Sequence, residues 1–419
     1  MRIKRVLREL IGVSSAVVIE DWTLDFGDDE RPLLRVGVRA RKRRRGGCGR
    51  CGARAPWYDR GDGRRRWRHI DIGFARCELV ADAPRVDCAQ CGPTVAALAW
   101  ARHSARLTRA FEDLVVYDAL ASSKEAAAQR HGTTWRTVDG ACVRVVEEAL
   151  GRVDLLDGLV AISIDEVKYK KGQKYVTVVC DHVTGCVVWA HKGRSKATVA
   201  AFFDALGARR AAKLQVITAD GGEWIHRVIA ERDLDVLVCL DTYHVIGWAT
   251  DALDSVRCDE WNQLRGANRA DKAKAVKGMR WLLLRNWENL SGGQRGAIRD
   301  LEGANRRLFR AYRLKEELRE IFTLPILQAQ VALDEWLRYA SRSKLAEFVK
   351  LARTIRHFRT EIEATIEWRF TNGLAESVNA CIGRIRANAR GFHSAQTFIS
   401  MIMLDRAGIA PDLPWNHAS

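Results

Sequence analysis

Asp165, Asp220 and Glu376 are the residues of this chain whose settings best suit catalysis. Asp165 closes the apolar run LVAISID, Asp220 closes KLQVITAD, and Glu376 lies in TNGLAESVNACIGRIR, where the apolar spacing is helical. Acids at strand ends and on a packed helix can converge on divalent cations. Two such cations held roughly 3.5–4 Å apart activate an attacking oxygen and stabilise a leaving one, so the chemistry expected is metal-dependent phosphoryl transfer on a polynucleotide. Each acid also has a structural role open to it. Asp165 precedes Glu166, and strand alternation sends neighbouring side chains to opposite faces without settling which one faces the site. Asp220 precedes Gly221 and Gly222, a sharp strand exit, and could cap a helix starting near Glu223. Glu376 sits at the edge of a stripe of Leu374, Val378, Cys381 and Ile385, with Asn372 as the expected cap.

A second group is made of thiols. Cys48 and Cys51, then Cys88 and Cys91, form the CxxC…CxxC pattern in which each pair clamps one side of a tetrahedral zinc ion. The expectation is one structural Zn²⁺. The remaining seven of the eleven cysteines are scattered, mostly in apolar surroundings, and are read as small buried hydrophobes. Between the pairs, WYDRGDGRRRWRHIDIGFARCELV alternates like paired strands and predicts a ribbon hairpin presenting Arg64, Arg65, Arg66 and Arg68 to DNA. In DTYH, His244 follows Asp241 by one helical turn; a histidine there could orient a scissile phosphate or hold a carboxylate.

Charge agrees with a polyanionic partner. The 419 residues carry 69 Lys and Arg against 52 Asp and Glu, a formal charge of +17, and a pI near 9.6. Neutralising phosphates and releasing their counterions is the general source of nucleic-acid affinity. The first hundred residues hold 21 basic against 13 acidic side chains, with RKRRR at 41–45, so the front end is the expected DNA reader. No run of roughly 18 apolar residues occurs, which argues against a membrane partner. The start, MRIKRVLREL, lacks the apolar core of a signal peptide, and the expected location is the cytoplasm.

The elements that must position these groups follow in order. Residues 1–100 read as a basic helix, two strand-like runs and the cysteine segment, an N-terminal β and zinc-binding domain. Residues 101–152 become helical, with Ser123 and Thr133 or Thr134 as caps and Gly132 as the break, giving a helix-turn-helix whose second helix carries Trp135 and Arg136 as DNA-contact candidates. From 153 to 244, short β-rich runs with an intervening helix predict the mixed sheet of an RNase H-like fold, in which acids at strand ends meet a late helix. Residues 245–365 lose strand signals and form an all-helical insertion. Residues 366–419 return as the C-terminal helical part of the catalytic domain, where Arg384, Arg386 and Arg390 are placed to hold a phosphate backbone. The fold class is thus multidomain α+β.

With these residues in place, the chain resembles the ISL3 family of bacterial insertion-sequence DDE transposases. The resemblance runs almost end to end, through the cysteine pairs with WYDRGDGRRRWRHIDIG between them, IDEVKYKKGQKYVTVV, VVWAHKGRSKATVAAFFDALG, DTYHVIGWATDALDSVR, KGMRWLLLRNWENLS and TNGLAESVN followed by RGF. It implies a DDE triad of Asp165, Asp220 and Glu376 on two Mg²⁺ or Mn²⁺ ions, with Asp241 and His244 nearby. It further implies binding of terminal inverted repeats, strand cleavage, and transfer of the freed 3′-hydroxyl to target DNA. Thr242, where the family commonly has an aromatic residue, and Ser377-Val378-Asn379, where it has a Gly-Leu-Asn-like stretch, depart from the pattern without touching the triad. Pairing of two ends implies a homodimer or larger assembly. The rivals are a domesticated DNA-binding regulator, against which the three intact acids argue, and an RNase H-like nuclease that cuts without joining.

Overall fold

A computed structural model describes residues 2–26, 31–41, 46–368 and 373–417, without the side chains of residues 2, 373–376, 414 and 417. Most of the basic stretch at 41–45, and the expected cap Asn372, lie outside the described residues. The chain divides into two compact units. One holds residues 1–155, 169–174 and 381–419; the other holds 156–168 and 175–380.

The first unit opens with helix α1 (Arg2–Ile11) and strands β1 (Val17–Asp25), β2 (Leu33–Ala40), β3 (Trp57–Asp59), β4 (Arg64–Ile72), β5 (Ala75–Asp82), β6 (Arg85–Cys88) and β7 (Gly92–Val95). They make two sheets, of order β1-β2-β5-β4 and β3-β6-β7. The single ribbon hairpin expected between the cysteine pairs is therefore divided. β4 and β5 do pair antiparallel, but β5 also runs parallel to β2, and only β3 and β6 stay beside the cysteines. Burial explains the split. The alternate residues Cys77, Leu79 and Ala81 of β5 join Val36, Val38, Trp67 and Trp100 in one apolar core that the short cysteine-bearing sheet is too small to supply. Trp67 and Trp100 meet edge to face with centroids 5.7 Å apart.

Helices α2 (Arg109–Ala121), α3 (Lys124–Arg130) and α4 (Trp135–Leu150) follow. Their N-caps are Thr108, Ser123 and Thr134, whose hydroxyls accept from the amides of Phe111, Ala126 and Thr137. Gly132 turns the chain between α3 and α4 at φ +56°, a backbone state that disfavours any Cβ. The fully buried Glu112 of α2 takes charged hydrogen bonds from Arg144 of α4 and from Arg102. Burial pushes the Glu112 carboxyl above its usual range while the two guanidiniums pull it back. Arg102 also reaches Asp113 and Glu148, so one side chain ties the segment before α2 to both long helices.

β8 (Ala161–Lys170), β9 (Lys174–Asp181), β10 (Val187–Lys192), β11 (Val216–Ala219) and β12 (Leu237–Leu240) form one sheet of order β10-β9-β8-β11-β12, which lies in the second unit except for residues 169, 170 and 174. β10 pairs antiparallel with β9, whereas β11 runs parallel to both β8 and β12. Helices α5 (Lys196–Leu206), α6 (Ala208–Ala211) and α7 (Glu223–Glu231) connect the parallel strands. This mixed five-stranded sheet is the RNase H-like arrangement.

Strands then cease. Helices α8 (Thr242–Gly266), α9 (Ala270–Gly278), α10 (Arg280–Leu283), α11 (Gly292–Ala304), α12 (Arg306–Ile321), α13 (Ile326–Ser341), α14 (Ala346–His357) and α15 (Arg359–Trp368) close around a core of their own, centred on Leu253, Leu314, Leu318, Leu333 and Phe348. The last of them returns to the sheet: Thr365 donates through its hydroxyl to the Leu240 carbonyl at 2.8 Å.

The chain ends with α16 (Gly373–Asn388) and α17 (Ala395–Arg406). Among the described side chains of α16, the buried ones are Val378, Ile382 and Ile385. Ile382 joins Val378 and Ile385 on the buried face, where a stripe through Cys381 was expected, and Cys381 is half-buried beside them. α17 packs on α4 and α2. Lys124 Nζ there donates to Asp139 and to the Thr397 carbonyl, and Cys142 lies 4.0 Å from the Met401 sulfur.

Candidate active site and metal centre

Strand register brings the two aspartates together. β8 and β11 pair residue by residue up to Ile164 opposite Ala219, and β11 and β12 up to Ala219 opposite Leu240. The next residues along the three strands are Asp165, Asp220 and Asp241. Three carboxylates thus stand in a row at the same edge, one strand spacing of about 4.8 Å apart along the backbone. The Asp241 amide extends the ladder by donating to the Ala219 carbonyl at 3.0 Å.

Their surroundings give them different tasks. Asp165 accepts from the Glu166 amide at 2.7 Å through Oδ1 and from the Asn379 side-chain amide through Oδ2. Burial pushes its carboxyl up, against the Asn379 hydrogen bond and the nearby His244, a sign of an anion that lacks full compensation. Asp220 Oδ1 accepts from the Gly222 amide at 2.9 Å, and α7 begins on Gly222 with no side-chain cap, so the capping role open to Asp220 is not the one it plays. The two glycines after it are required by contact. A Cβ at 221 would lie 2.5 Å from the Trp248 ring, and one at 222 would lie 2.8 Å from Asp220 Oδ1. Asp241 does act as a cap, accepting from the Tyr243 amide at 2.8 Å. His244 Nε2 stands 3.9 Å from Asp165 Oδ1 and 3.8 Å from Asp241 Oδ2.

Glu166 turns to a different set of partners. Its side chain is 3% exposed, accepts from the Trp224 indole at 3.1 Å and faces Arg194 at 3.5 Å. Arg194 also stands 3.6 Å from Asp220 Oδ2, and its guanidinium lies over the rings of Tyr175 and Trp224. Burial and the Asp220 charge together push Glu166 up to about 8. Sequence reasoning passed over Arg194, Trp224 and Asn379. The GRSK turn and the Asn three residues after Glu376 were the signals present.

Position 376 lies within α16, and the Glu376 side chain lies outside the described residues. The donor set is hard oxygen, which suits Mg²⁺ or Mn²⁺. The oxygens that Asp165 and Asp220 present at neighbouring strand ends fit such ions.

The thiol site is in the first unit. The donor atoms of Cys48, Cys51, Cys88 and Cys91 all lie within 4.8 Å of one another, and among the described residues no other group of three or more His, Cys, Asp or Glu ligands does so. A tetrahedral ion with Zn–S near 2.3 Å needs sulfurs roughly 3.8 Å apart, so the four fit zinc. Each pair sits in a tight turn: Gly52 donates to the Cys48 carbonyl at 2.9 Å, and Cys88 pairs with Gly92 across β6 and β7. Burial opposes ionisation of Cys48, but the amides of Cys51 and Arg50, with the neighbouring Cys51 and Cys88 thiols, lower its thiol to about 7.

The expected DNA-contact residues divide by surroundings. Arg64, Arg65 and Arg66 are exposed along β4, the first two near Asp21 and Asp62. Arg68 is instead half-buried, paired with Asp71 and lying over the Phe111 ring. On α4, Arg136 is exposed, while Trp135 packs edge-on to His393 and under Lys124. Arg384, Arg386 and Arg390 are exposed at the end of α16 and just beyond.

Comparison with known proteins adds independent evidence. Residues 162–402 match the transposase domain of the ISL3 type, residues 44–91 the zinc-finger of transposase IS204/IS1001/IS1096/IS1165, and residues 96–146 the helix-turn-helix domain of transposase family ISL3. The chain is 42% identical, over its full length and 98% of the relative, to the transposase for insertion sequence element IS1557 of Mycobacterium tuberculosis, in strains H37Rv and CDC 1551. It is 29% identical to the transposase for IS1001 of Bordetella parapertussis, over 85% of this chain and 87% of that one.

Proposed function

The chain belongs to the ISL3 family of transposases, and on that premise we propose that it binds the terminal inverted repeats of an insertion sequence and cuts and transfers DNA strands at a two-metal centre held by Asp165, Asp220 and Glu376. The observation that carries the reading is the shared register that sets Asp165 beside Asp220, with Asn379 of α16 seated on Asp165.

The chain's own groups prepare the reaction. Asn379 fixes one oxygen of Asp165 and leaves the other turned toward His244. Arg194, stacked between two aromatic rings and close to both Glu166 and Asp220, supplies positive charge where a phosphate's non-bridging oxygens would gather. His244, within 4 Å of two carboxylates, acts as a positioning residue for the scissile phosphate. When bound, two Mg²⁺ or Mn²⁺ ions would lower the pKa of an attacking hydroxyl and stabilise the leaving oxygen. Zn²⁺ at the four thiolates stabilises the small β3-β6-β7 sheet. Arg64, Arg65, Arg66, Arg136 and the α16 arginines hold DNA backbone, and the protein works in the cytoplasm as a dimer or larger assembly on paired ends. In this reading residues 1–100, 101–152, 153–244, 245–365 and 366–419 serve as the zinc, helix-turn-helix, catalytic, insertion and closing segments.

The test is incubation with Mn²⁺, DNA carrying the element's ends and a plasmid target. Joined products, lost in Asp165→Ala, Asp220→Ala and Glu376→Ala while end binding persists, are expected. Binding without cleavage by the wild type would sink the proposal, and cleavage without joining would leave a nuclease.

A further inference from the structure

The helical bundle carries a surface that this catalytic reading leaves unused. Between residues 262 and 286 the sequence holds seven Lys and Arg against the single acid Asp271, and all seven are exposed. A solvated helix face ordinarily mixes both signs, so an excess of this size in one short stretch marks a polyanion-binding surface. A second observation is independent of charge. Trp281 on α10 is 71% exposed, with the Arg280 guanidinium 5.2 Å from its ring. Arg280 is in turn held 3.6 Å from Asp254. On the same segment Arg265 lies 4.9 Å and Lys277 5.7 Å from the Trp261 ring. Buried Ala273, Val276 and Leu283 fix α9 and α10 to the bundle core, so these groups stand on a rigid base.

We propose that the end of α8 together with α9 and α10 is a DNA-contacting face of the bundle, where exposed cations hold backbone phosphates and Trp281 stacks on an unpaired base. Aromatic platforms set among cations are how proteins hold unstacked nucleotides: every base has a π-face to stack, while the neighbouring charges track the backbone. Arg269, Lys272 and Lys274 flank this platform on α9 and the turn before it, exposed and, among the described residues, paired with no acid, and supply the charge. The proposal rests on the reading of the chain as an enzyme acting on DNA.

The test uses the full chain and two probes of one end sequence, a blunt duplex and a duplex with several unpaired terminal nucleotides. The combined Arg269→Ala, Lys272→Ala, Lys274→Ala variant should bind both probes more weakly, and the slope of log affinity against log salt should become shallower by about 2–3. Trp281→Ala should lose on the order of tenfold on the unpaired probe and little on the blunt one. Melting temperatures equal to wild type establish that both variants are folded. An unchanged salt slope and affinity in the triple variant, or equal behaviour of Trp281→Ala on both probes, would overturn the assignment. So would an altered oligomeric state with unaltered DNA affinity, which would give the face to a protein partner. Absence of DNA binding by the wild type would overturn the underlying reading, an outcome distinct from these.

Discussion

Gly221→Ala isolates how tightly the backbone beside Asp220 is held. The added methyl would sit 2.5 Å from Trp248 Cζ2, 2.6 Å from Cη2 and 3.5 Å from Phe358 Cε2. Carbon atoms pack at about 3.5–4.0 Å, so something must move by about 1 Å. The indole cannot swing away as a flexible chain would, because Trp248 packs against the bundle core and lies 6.0 Å from the Phe358 ring. The backbone after Asp220 yields instead. Overpacking of this size destabilises by about 1–3 kcal/mol, with each kcal/mol lowering the melting temperature by roughly 2–4 °C in a unit of this size. Cleavage should suffer more, because a misplacement of about 1 Å at a reacting centre can reduce the rate on the order of 100-fold. The assay pairs melting curves with Mn²⁺-dependent cleavage of end DNA, in a double-mutant cycle with Trp248→Ala. Removing the indole gives the methyl room, so Gly221→Ala should be nearly neutral in that background. Wild-type melting and cleavage in the single variant, or an equal penalty with and without the indole, would refute the steric argument.

Three further outcomes follow from the same structure. His69 is buried with Nδ1 2.8 Å from the Thr108 hydroxyl, and burial lowers its pKa from the ordinary 6.5 to about 4. The unfolded chain therefore binds more protons between those values, stability rises with pH across that window, and on the order of 3 kcal/mol is lost as pH falls through it; melting against pH should flatten in His69→Gln, and parallel curves would refute this. Metal analysis should find about one zinc per chain in the wild type and nearly none in Cys48→Ser, so undiminished zinc in the variant would count against the four-thiolate site. His244→Ala should slow cleavage by about 10- to 100-fold while leaving end binding nearly unchanged, and unaltered cleavage would remove His244 from the site.

The parts of this molecule legible in the sequence are those set by local rules. Ser123, Gly132 and Thr134 mark helix ends because a hydroxyl cap or a left-handed turn is decided by a few neighbouring residues. The CxxC spacing prescribes its own turn, and the two pairs do meet. Partners distant in sequence were not legible. Alternation identified β5 as a strand without revealing that its other neighbour would be β2. Nothing beside Trp135 marks its contact with His393, and nothing beside Arg68 marks its place over the Phe111 ring. In the same way, nothing local joins Asn379 to Asp165 across 214 residues. The pairing of Asp165 with Asp220 was accessible only in part: each strand end was visible, while their common register is a property of the assembled sheet.

The packing of α17 on α4 carries a consequence for how the protein is made. The helices from 109 to 150 emerge early in synthesis, yet Cys142, Lys124 and Asp139 meet Met401 and Thr397 only after nearly the whole chain has left the ribosome. Until then that face of the helix-turn-helix is uncovered. A chain ended just after α16 would therefore keep the helix that bears Glu376 yet lack the cover of its helix-turn-helix. Frameshifts and stop codons late in the gene would yield chains prone to degradation rather than stable fragments.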